Sequence, residues 1–220
     1  MLQLYTYYRS VSAHRVRIAL NYKGISYKSV FIDEDKGENL SGDYVKMNPL
    51  GLIPALVVDN NFMFTQSAAI LEYLEERYPE RPLLPTDIND RARVRSFVQV
   101  CVADVQPTNV LRIYHYMRDQ MELDHDTRRR WYEHWAHRGL RAMESLLVGH
   151  PKTGDFCHGD QATLADVCLV PQLYNAERNR LDLSPYVTLR AIYRNCQALS
   201  AFQAAAPETQ PDRLQKALAL

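Results

Sequence analysis

The chain has 220 residues, of which 46% are hydrophobic and 24% charged, and this composition is typical of a globular protein with one large or two small domains. Its 26 basic residues balance 26 acidic ones, so binding to nucleic acid or to a membrane surface lacks the usual electrostatic support. No apolar run approaches the roughly 20 residues that cross a bilayer, and no basic segment followed by an apolar block opens the chain, so we expect a cytoplasmic protein.

The first half of the N-terminal region predicts a βαβ unit. The aromatic-rich segment LQLYTYY, residues 2–8, alternates as a strand does. Residues 12–24, SAHRVRIALNYKG, have helical spacing and end at Gly24. The segment SYKSVFI, residues 26–32, predicts a second strand, which is parallel to the first because a helix joins the two.

The second half of this region predicts a ββα unit. The strands ALVVD and FMFTQ are separated by Asn60 and Asn61, which indicates an antiparallel hairpin. A helix then begins at Ser67 and ends before Pro79. Together with the first unit, this order predicts a small mixed sheet of four strands.

From about Asp90 onward the pattern becomes helical throughout, as in VRSFVQVCVADV at 94–105, and no convincing strand follows. We therefore predict a domain at 1–80 and an all-helical domain at 88–220. Within the second, Thr163 and Asp166 have the spacing of a capping box, for which a role in folding is the preferred interpretation.

The cysteines all lie in the second half of the chain, at Cys101, Cys157, Cys168 and Cys196. Their irregular spacing matches neither a zinc ribbon nor a disulfide framework, so we expect reduced thiols. The predicted α/β domain contains no thiol of its own.

The segment NPLGLIPALVVD, residues 48–59, places Pro54 directly before a predicted strand. Two interpretations stay open with equal weight. Pro54 is an ordinary turn proline, or the Ile53–Pro54 bond is cis and turns the Ile53 backbone toward an extended peptide.

Gln66 and Ser67 stand where a strand gives way to a helix. Helix N-terminal amides, a hydroxyl and a carboxamide together suit a carboxylate ligand. Taken alone, Ser67 is better explained as an ordinary N-cap. Combined with the proline turn, the pair predicts a pocket for a small peptide that carries a free carboxylate.

Four motifs occur in order along the chain: RSVSAHRVRIAL at 9–20, NPLGLIPAL at 48–56, QSAAILEYLEE at 66–76 and TLADVCLVPQ at 163–172. Together they resemble the zeta class of glutathione transferases, which includes maleylacetoacetate and maleylpyruvate isomerases. The resemblance covers nearly the whole chain. It implies an α/β thioredoxin-like N-terminal domain, an all-α C-terminal domain, a homodimer, and glutathione as the cofactor that supplies the missing thiol.

The resemblance also implies a reaction, the cis-to-trans isomerisation of a 4-oxo cis-enoic diacid, with glutathione transferase side activity. Maleylacetoacetate, an intermediate of tyrosine and phenylalanine catabolism, is the expected substrate. The alternatives are maleylpyruvate of gentisate catabolism, a general glutathione transferase or peroxidase, and a non-catalytic binding module.

Catalytic roles are implied for four residues. Ser10 donates a hydrogen bond to the glutathione sulfur, and Ser12, which stands where animal-type relatives have cysteine, is a secondary donor. Val11 replaces the second serine of those relatives. Arg9 and Arg178 are implied to bind the two substrate carboxylates, for which guanidinium groups are suited.

The same resemblance implies a set of glutathione-binding residues: Ser10, Asn39, Ile53 through its backbone, Gln66, Ser67, Gln106, Asn109 and Arg112. The Gln106–Pro107 pair equally predicts a helix kink.

Several polar residues have simpler explanations. We expect a structural role for His14 and solvated side chains for Arg180 and for residues 128–130. His134 and His137 lie three apart on a helix, but no third ligand accompanies them, so no metal site is expected.

Overall fold

The structure, a computed structural model, describes residues 1–59 and 62–218. The chain forms two compact units, one made of Met1–Leu83 with the segment that begins at Gln197, and the other of Leu84–Cys196. This division differs from the predicted boundaries at 80 and 88, because the last helices pack with the first unit. Asn21, for example, donates a hydrogen bond of 3.4 Å to the carbonyl of Ala201.

The first unit contains the predicted sheet. Its strands are β1 (Leu2–Thr6), β2 (Tyr27–Phe31), β3 (Ala55–Val58) and β4 (Phe62–Thr65). They are ordered β2-β1-β3-β4, with β1 and β2 parallel and the other pairs antiparallel. The βαβ and hairpin predictions are thus confirmed. Asn60 and Asn61, predicted as the hairpin turn, lie outside the described residues.

Within residues 1–83, three α-helices accompany the sheet: α1 (Val11–Lys23), α2 (Gly42–Met47) and α3 (Ser67–Arg77). Helix α1 ends as predicted at Gly24, whose φ of 70° is readily adopted by glycine. All residues from Ala13 to Leu20 are buried, including Arg15 and Arg17. The helix is therefore buried around its circumference rather than along one apolar face.

The second unit is helical, as predicted. It contains α4 (Ile88–Gln99), α5 (Leu111–Asp119), α6 (His125–Leu147), α7 (Leu164–Arg178) and most of α8 (Val187–Gln197). The chain then continues into the first unit with α9 (Ser200–Ala205) and α10 (Pro211–Leu218). Outside the sheet, the only β-type backbone pairing among the described residues is an isolated one between Thr153 and Gly159.

The capping box at the start of α7 has the predicted folding role. Asp166 is fully buried and accepts hydrogen bonds of 2.8 Å from the amides of Thr163 and Cys157. Burial raises the pKa of Asp166, although these hydrogen bonds oppose the shift. The carboxylate thereby fixes both the helix start and the loop before it.

A close approach within the second unit requires a glycine. A Cβ atom on Gly139 of α6 would lie 2.1 Å from Cγ2 of Val105.

Two further features concern the described part of the chain. None of the helices in the described part combines the length and apolar character that a bilayer span requires. The four cysteines, all within the described residues, are buried as thiols.

Candidate active site

The loop between β1 and α1 carries Ser10, the N-cap residue of α1. Its Oγ accepts a hydrogen bond of 3.3 Å from the amide of Ala13, and its carbonyl accepts one of 2.9 Å from the amide of His14. A hydroxyl that accepts in this way keeps its own hydrogen for donation. Ser10 therefore presents a donor at the positive end of a helix dipole, which is a suitable environment for an anionic sulfur.

Ser12 lies in the first turn of α1, directly after Val11, so both predicted serines are at the same helix end. His14 is 3% exposed, and burial holds the pKa of its imidazole well below the usual value, with Arg17 and Arg15 contributing. A neutral buried imidazole agrees with the structural role expected for this residue.

Arg9 follows Tyr8 in this loop and forms an ion pair with Asp35. The other carboxylate oxygen of Asp35 accepts a hydrogen bond of 2.5 Å from the Tyr7 hydroxyl, and the Arg9 guanidinium lies 5.6 Å from the ring centres of both tyrosines. Asp35 was not predicted from the sequence. The acidic run that follows β2 could have indicated it. Because β1 and β2 are parallel neighbours, the residues that follow them meet at one edge of the sheet.

Glu34, next to Asp35, is partly buried. Burial raises the pKa of its carboxyl to about 7, and the Arg9 charge lowers it only in part, while Asp35 raises it further. The edge of the site therefore carries an acid that titrates near neutral pH.

The Ile53–Pro54 bond is cis, one of the two predicted alternatives, and it lies directly before β3. The turn before it is held by two side chains that donate to the Leu52 carbonyl, the Tyr44 hydroxyl at 2.8 Å and Asn48 Nδ2 at 2.6 Å. Asn48 is 2% exposed, and its role in this turn was not predicted from the sequence.

Asn39 has a contact within the same turn. Its Nδ2 donates a hydrogen bond of 2.8 Å to the carbonyl of Gly51. Gly51 has a φ of 61°, and a Cβ atom there would lie 3.0 Å from the Asn39 carbonyl oxygen. The structure thus gives Asn39 a bracing contact, and its contact with glutathione stays a prediction.

The N-terminus of α3 differs from the expected capping. Gln66, not Ser67, is the N-cap residue, its φ is 68°, and its side chain makes no capping hydrogen bond. The N-cap interpretation of Ser67 is therefore wrong. A non-glycine residue with positive φ costs on the order of 1–3 kcal/mol, and such strain is concentrated at ligand sites. Gln66 thus leaves the first amides of α3 without a hydrogen bond from the N-cap side chain, which suits a carboxylate ligand.

Ser67 is instead the first residue of α3, and its Oγ accepts a hydrogen bond of 3.3 Å from Nη1 of Arg15. Arg15 is 1% exposed. Its buried positive charge behind the helix N-terminus adds to the preference for an anion. Arg15 was not predicted from the sequence, because only the apolar residues of α1 were expected in the core.

In the second unit, the helical elements are interrupted at Gln106, next to Pro107, where a kink was one of the two predictions. A π-helical turn at Val100–Val105 follows α4, a 3-10 turn follows at Pro107–Asn109, and α5 begins at Leu111. Asn109 Nδ2 donates a hydrogen bond of 3.3 Å to the Val105 carbonyl. Such π turns occur often at functional sites, which is compatible with the ligand roles predicted for Gln106 and Asn109.

The two remaining predicted arginines are exposed, Arg112 on α5 and Arg178 in the last turn of α7. Arg178 lies close enough to Tyr132 for its charge to affect that phenol. Burial raises the pKa of Tyr132 to about 12, while a hydrogen bond with Asn179 and the charge of Arg178 oppose the shift.

Two expectations about surface residues have different outcomes. Arg128 is buried, with its guanidinium 4.5 Å from the Tyr114 ring centre, so the solvated interpretation is wrong for this residue. Residues 129, 130 and 180 are exposed, as expected.

His137 Nδ1 lies 2.7 Å from the Tyr186 hydroxyl, and no group of three metal-binding side chains occurs among the described residues.

Comparison with known proteins agrees with this geometry. The family profile described as glutathione S-transferase, N-terminal domain, matches residues 9–77, and the corresponding C-terminal domain profile matches 126–201. A probable maleylacetoacetate isomerase of Vibrio cholerae is 43% identical over 96% of this chain and 98% of its own length. A maleylpyruvate isomerase of a Ralstonia species is 41% identical over 96% of this chain and 99% of its own.

Solved structures show the same relationship. A holo structure of maleylpyruvate isomerase, described as a bacterial zeta-class glutathione S-transferase, has a TM-score of 0.92 at 41% identity and covers 96% of this chain and 99% of its own. Maleylacetoacetate isomerase of Methylobacterium extorquens AM1, solved with malonate and GSH, has a TM-score of 0.93 at 37% identity over 96% and 98% of the two chains. The chain is therefore a member of the glutathione S-transferase family, within its zeta class.

Proposed function

We propose that this protein is a glutathione-dependent cis–trans isomerase of a 4-oxo cis-enoic diacid, with maleylacetoacetate as its main substrate. The observation that carries the proposal is the combination, within the first unit, of the Ser10 hydroxyl at the N-terminus of α1 and a helix α3 without a side-chain cap. The first suits a thiolate and the second suits a carboxylate, and glutathione carries both groups.

Glutathione would be held mainly by backbone groups. The amides at Gln66 and Ser67 would bind its γ-glutamyl carboxylate, supported by the charge of Arg15 behind Ser67. The backbone of Ile53 would pair with the extended peptide, as in strand addition. Asn39 would contribute through its contact with Gly51 and through its remaining amide groups.

When bound, glutathione supplies a thiol that adds to the substrate alkene, permits rotation about the former double bond, and leaves again. Ser10 would keep this thiol ionised. Lowering a thiol pKa from about 8.5 by two units requires about 2.7 kcal/mol. A helix N-terminus contributes only about 0.3–1 kcal/mol. A hydrogen bond to the charged sulfur adds about 1.5–3 kcal/mol, so the Ser10 hydroxyl can supply the difference and Ser12 can assist.

The substrate diacid would be bound by guanidinium groups. Arg9 and Arg178 are the proposed ligands of its carboxylates. For Arg9, a substrate carboxylate would have to replace or join Asp35, which already pairs with it. Gln106, Asn109 and Arg112 complete the proposed set of ligand-binding residues.

A homodimer and a cytoplasmic location are further parts of the proposal. The resemblance implies both, and the reduced cysteines support the location alone. Light scattering at micromolar concentration should give twice the monomer mass of 25.5 kDa, and the monomer mass itself would contradict the dimer.

The direct test is to incubate the protein with maleylacetoacetate and with maleylpyruvate, each with and without glutathione, and to follow formation of the trans product. We expect isomerisation that depends on glutathione and is faster with maleylacetoacetate. Chlorodinitrobenzene and hydroperoxides are the comparison substrates. Activity on these that greatly exceeds the isomerase activity would contradict the proposal in favour of a general transferase or peroxidase.

A further inference from the structure

Arg17 is a fully buried cation on α1, and its guanidinium donates hydrogen bonds to four groups among the described residues. Nε donates to the carbonyl of Ala205 at 3.1 Å, and Nη1 donates to Oγ1 of Thr6 at 3.1 Å. The other two bonds go to the carbonyls of Tyr7, at 3.2 Å, and Tyr8, at 3.0 Å. Burial of a charge is costly unless hydrogen bonds compensate it. This charge is compensated by the loop that precedes Ser10 and by the C-terminal segment.

Asp212 holds the same loop from the other side. It lies in α10, is 8% exposed, and its Oδ2 accepts a hydrogen bond of 2.8 Å from the amide of Tyr8. Its Oδ1 is buried and has no hydrogen-bond partner among the described residues. Both backbone polar groups of Tyr8 are therefore bound by buried charged side chains, one from α1 and one from α10.

The position of Ser10 depends on this anchored segment. The Ser10 amide donates a hydrogen bond of 3.1 Å to the carbonyl of Tyr7, the same oxygen that accepts from Arg17. Ser10 follows Tyr8 by two residues. A shift of the Tyr8 peptide would therefore move the start of α1 and the hydroxyl proposed to contact the sulfur.

We propose that Arg17 and Asp212 are positioning residues for Ser10, and that the C-terminal segment from Ala205 to Asp212 braces the loop of residues 7–10. The inference rests on the proposed function of Ser10. Its competitor is a purely stabilising role, in which the same contacts support the fold without affecting the sulfur.

The first experiment uses the full chain without glutathione and measures amide hydrogen exchange at Ser10 and Ala13. Asp212→Ala removes the acceptor of the Tyr8 amide. Its matched control is Gln210→Ala in the same segment, since Gln210 is 6% exposed and its side chain donates to Ala204, Ala206 and Thr209. We expect exchange about tenfold faster or more at Ser10 and Ala13 in Asp212→Ala only, because local opening controls exchange. Equal exchange rates at Ser10 and Ala13 in the two variants would overturn the proposal that Asp212 holds the loop in place.

The second experiment titrates the thiol of bound glutathione by thiolate absorbance and measures the rate against pH. In Asp212→Ala we expect the thiol pKa to rise by about one unit, with turnover about tenfold lower at neutral pH and recovering as pH rises. The dissociation constant of glutathione should change little, because Gln66 and Ser67 are untouched. A loss of turnover that is the same at every pH, with an unshifted thiol pKa, indicates a stabilising role and overturns the inference.

Arg17→Lys independently tests the hydrogen bonds that Arg17 donates to the loop. A lysine keeps the charge but cannot reach this set of acceptors, so we expect the same shift of the thiol pKa. Asn21→Ala is its control, because Asn21 also links α1 to α9 by donating to Ala201 but does not contact the loop. A wild-type protein that holds no glutathione thiolate would overturn the proposed function instead, and the exchange experiment without ligand still decides the brace.

Discussion

Asp35 pairs with Arg9 and also accepts a hydrogen bond from the Tyr7 hydroxyl, so the guanidinium proposed for a substrate carboxylate already has a carboxylate partner. A diacid that binds Arg9 must displace this internal group or share the guanidinium with it. Asp35 would then set the affinity for substrate, while its second oxygen keeps the loop in place.

Asp35→Asn removes the competing charge but keeps an acceptor for Tyr7. We expect KM for the diacid to fall by roughly tenfold or less, since the gain is at most about 1.4 kcal/mol, with no change toward chlorodinitrobenzene. Asp43→Asn, at an exposed carboxylate of the same unit, is the control. If Asp35→Asn slows both substrates alike, Asp35 serves the loop and does not compete with the substrate for Arg9.

Ser10→Ala should raise the thiol pKa of bound glutathione by about one to two units, because it removes a hydrogen bond of about 1.5–3 kcal/mol to a charged group. Turnover at neutral pH should fall accordingly, with glutathione affinity nearly unchanged. Thiolate absorbance in the binary complex measures the shift. Because Ser10 is also an N-cap, Ser41→Ala, which removes the serine N-cap of α2, controls for capping alone. A thiol pKa unchanged in Ser10→Ala would exclude Ser10 from the mechanism.

Arg178→Ala should lower kcat/KM for the diacid about ten- to hundredfold, the loss expected for one charge-assisted interaction, and should be nearly silent toward chlorodinitrobenzene. Arg178→Lys should recover only part of the loss, because an ammonium cannot form a bidentate fork. Arg180→Ala, at an exposed arginine two residues away, is the matched control. Equal slowing of both substrates by Arg178→Ala would indicate a structural role.

Lys23 and Glu75 form a buried ion pair of 2.7 Å in the first unit, with side chains 1% and 6% exposed. Lys23 also donates to the carbonyls of Tyr78 and Arg81, and Glu75 accepts from the amide of Leu83. Glu75→Gln leaves the ammonium buried without its counter-charge and should lower the free energy of unfolding by about 3–5 kcal/mol.

Urea unfolding measures this loss. Asp43→Asn breaks the exposed ion pair with Lys46, in which the Lys46 and Asp43 side chains are 80% and 98% exposed. It should leave the unfolding transition in place. A small and similar effect of both variants would show that the buried pair contributes no more than a surface one.

Features fixed by local sequence signals could be predicted. The strands β1 to β4, the end of α1 at Gly24 and the capping box at Asp166 follow from alternation, helical spacing and residue conformational preferences. The position of Ser10 at the start of α1 was predictable for the same reason.

Features that depend on tertiary packing could not be predicted. Burial of Arg15 and Arg17 requires α1 to be covered on all sides, in part by α9, and a helical pattern does not specify its partners. The pairing of Asp35 with Arg9 depends on which strand ends meet. Ser67 was misassigned because Gln66 adopts a positive φ that side-chain preferences disfavour.

The carboxyl of Glu34 gives the protein a pH-dependent stability. Burial raises its pKa from 4.5 to about 7, so the folded state binds more protons than the unfolded state between these values. Stability from this group is therefore fully present below pH 4.5 and is lost as pH rises to about 7. Glu34→Gln stays neutral at every pH and should not lose this contribution.

We expect the free energy of unfolding of Glu34→Gln minus that of the wild type to increase between pH 4.5 and 7, by on the order of 2 kcal/mol once partial solvent exposure is allowed for. Urea unfolding at several pH values measures the difference. A difference that stays constant across this range would show that Glu34 titrates alike in both states, and one that decreases would mean that Arg9 and not burial dominates its pKa.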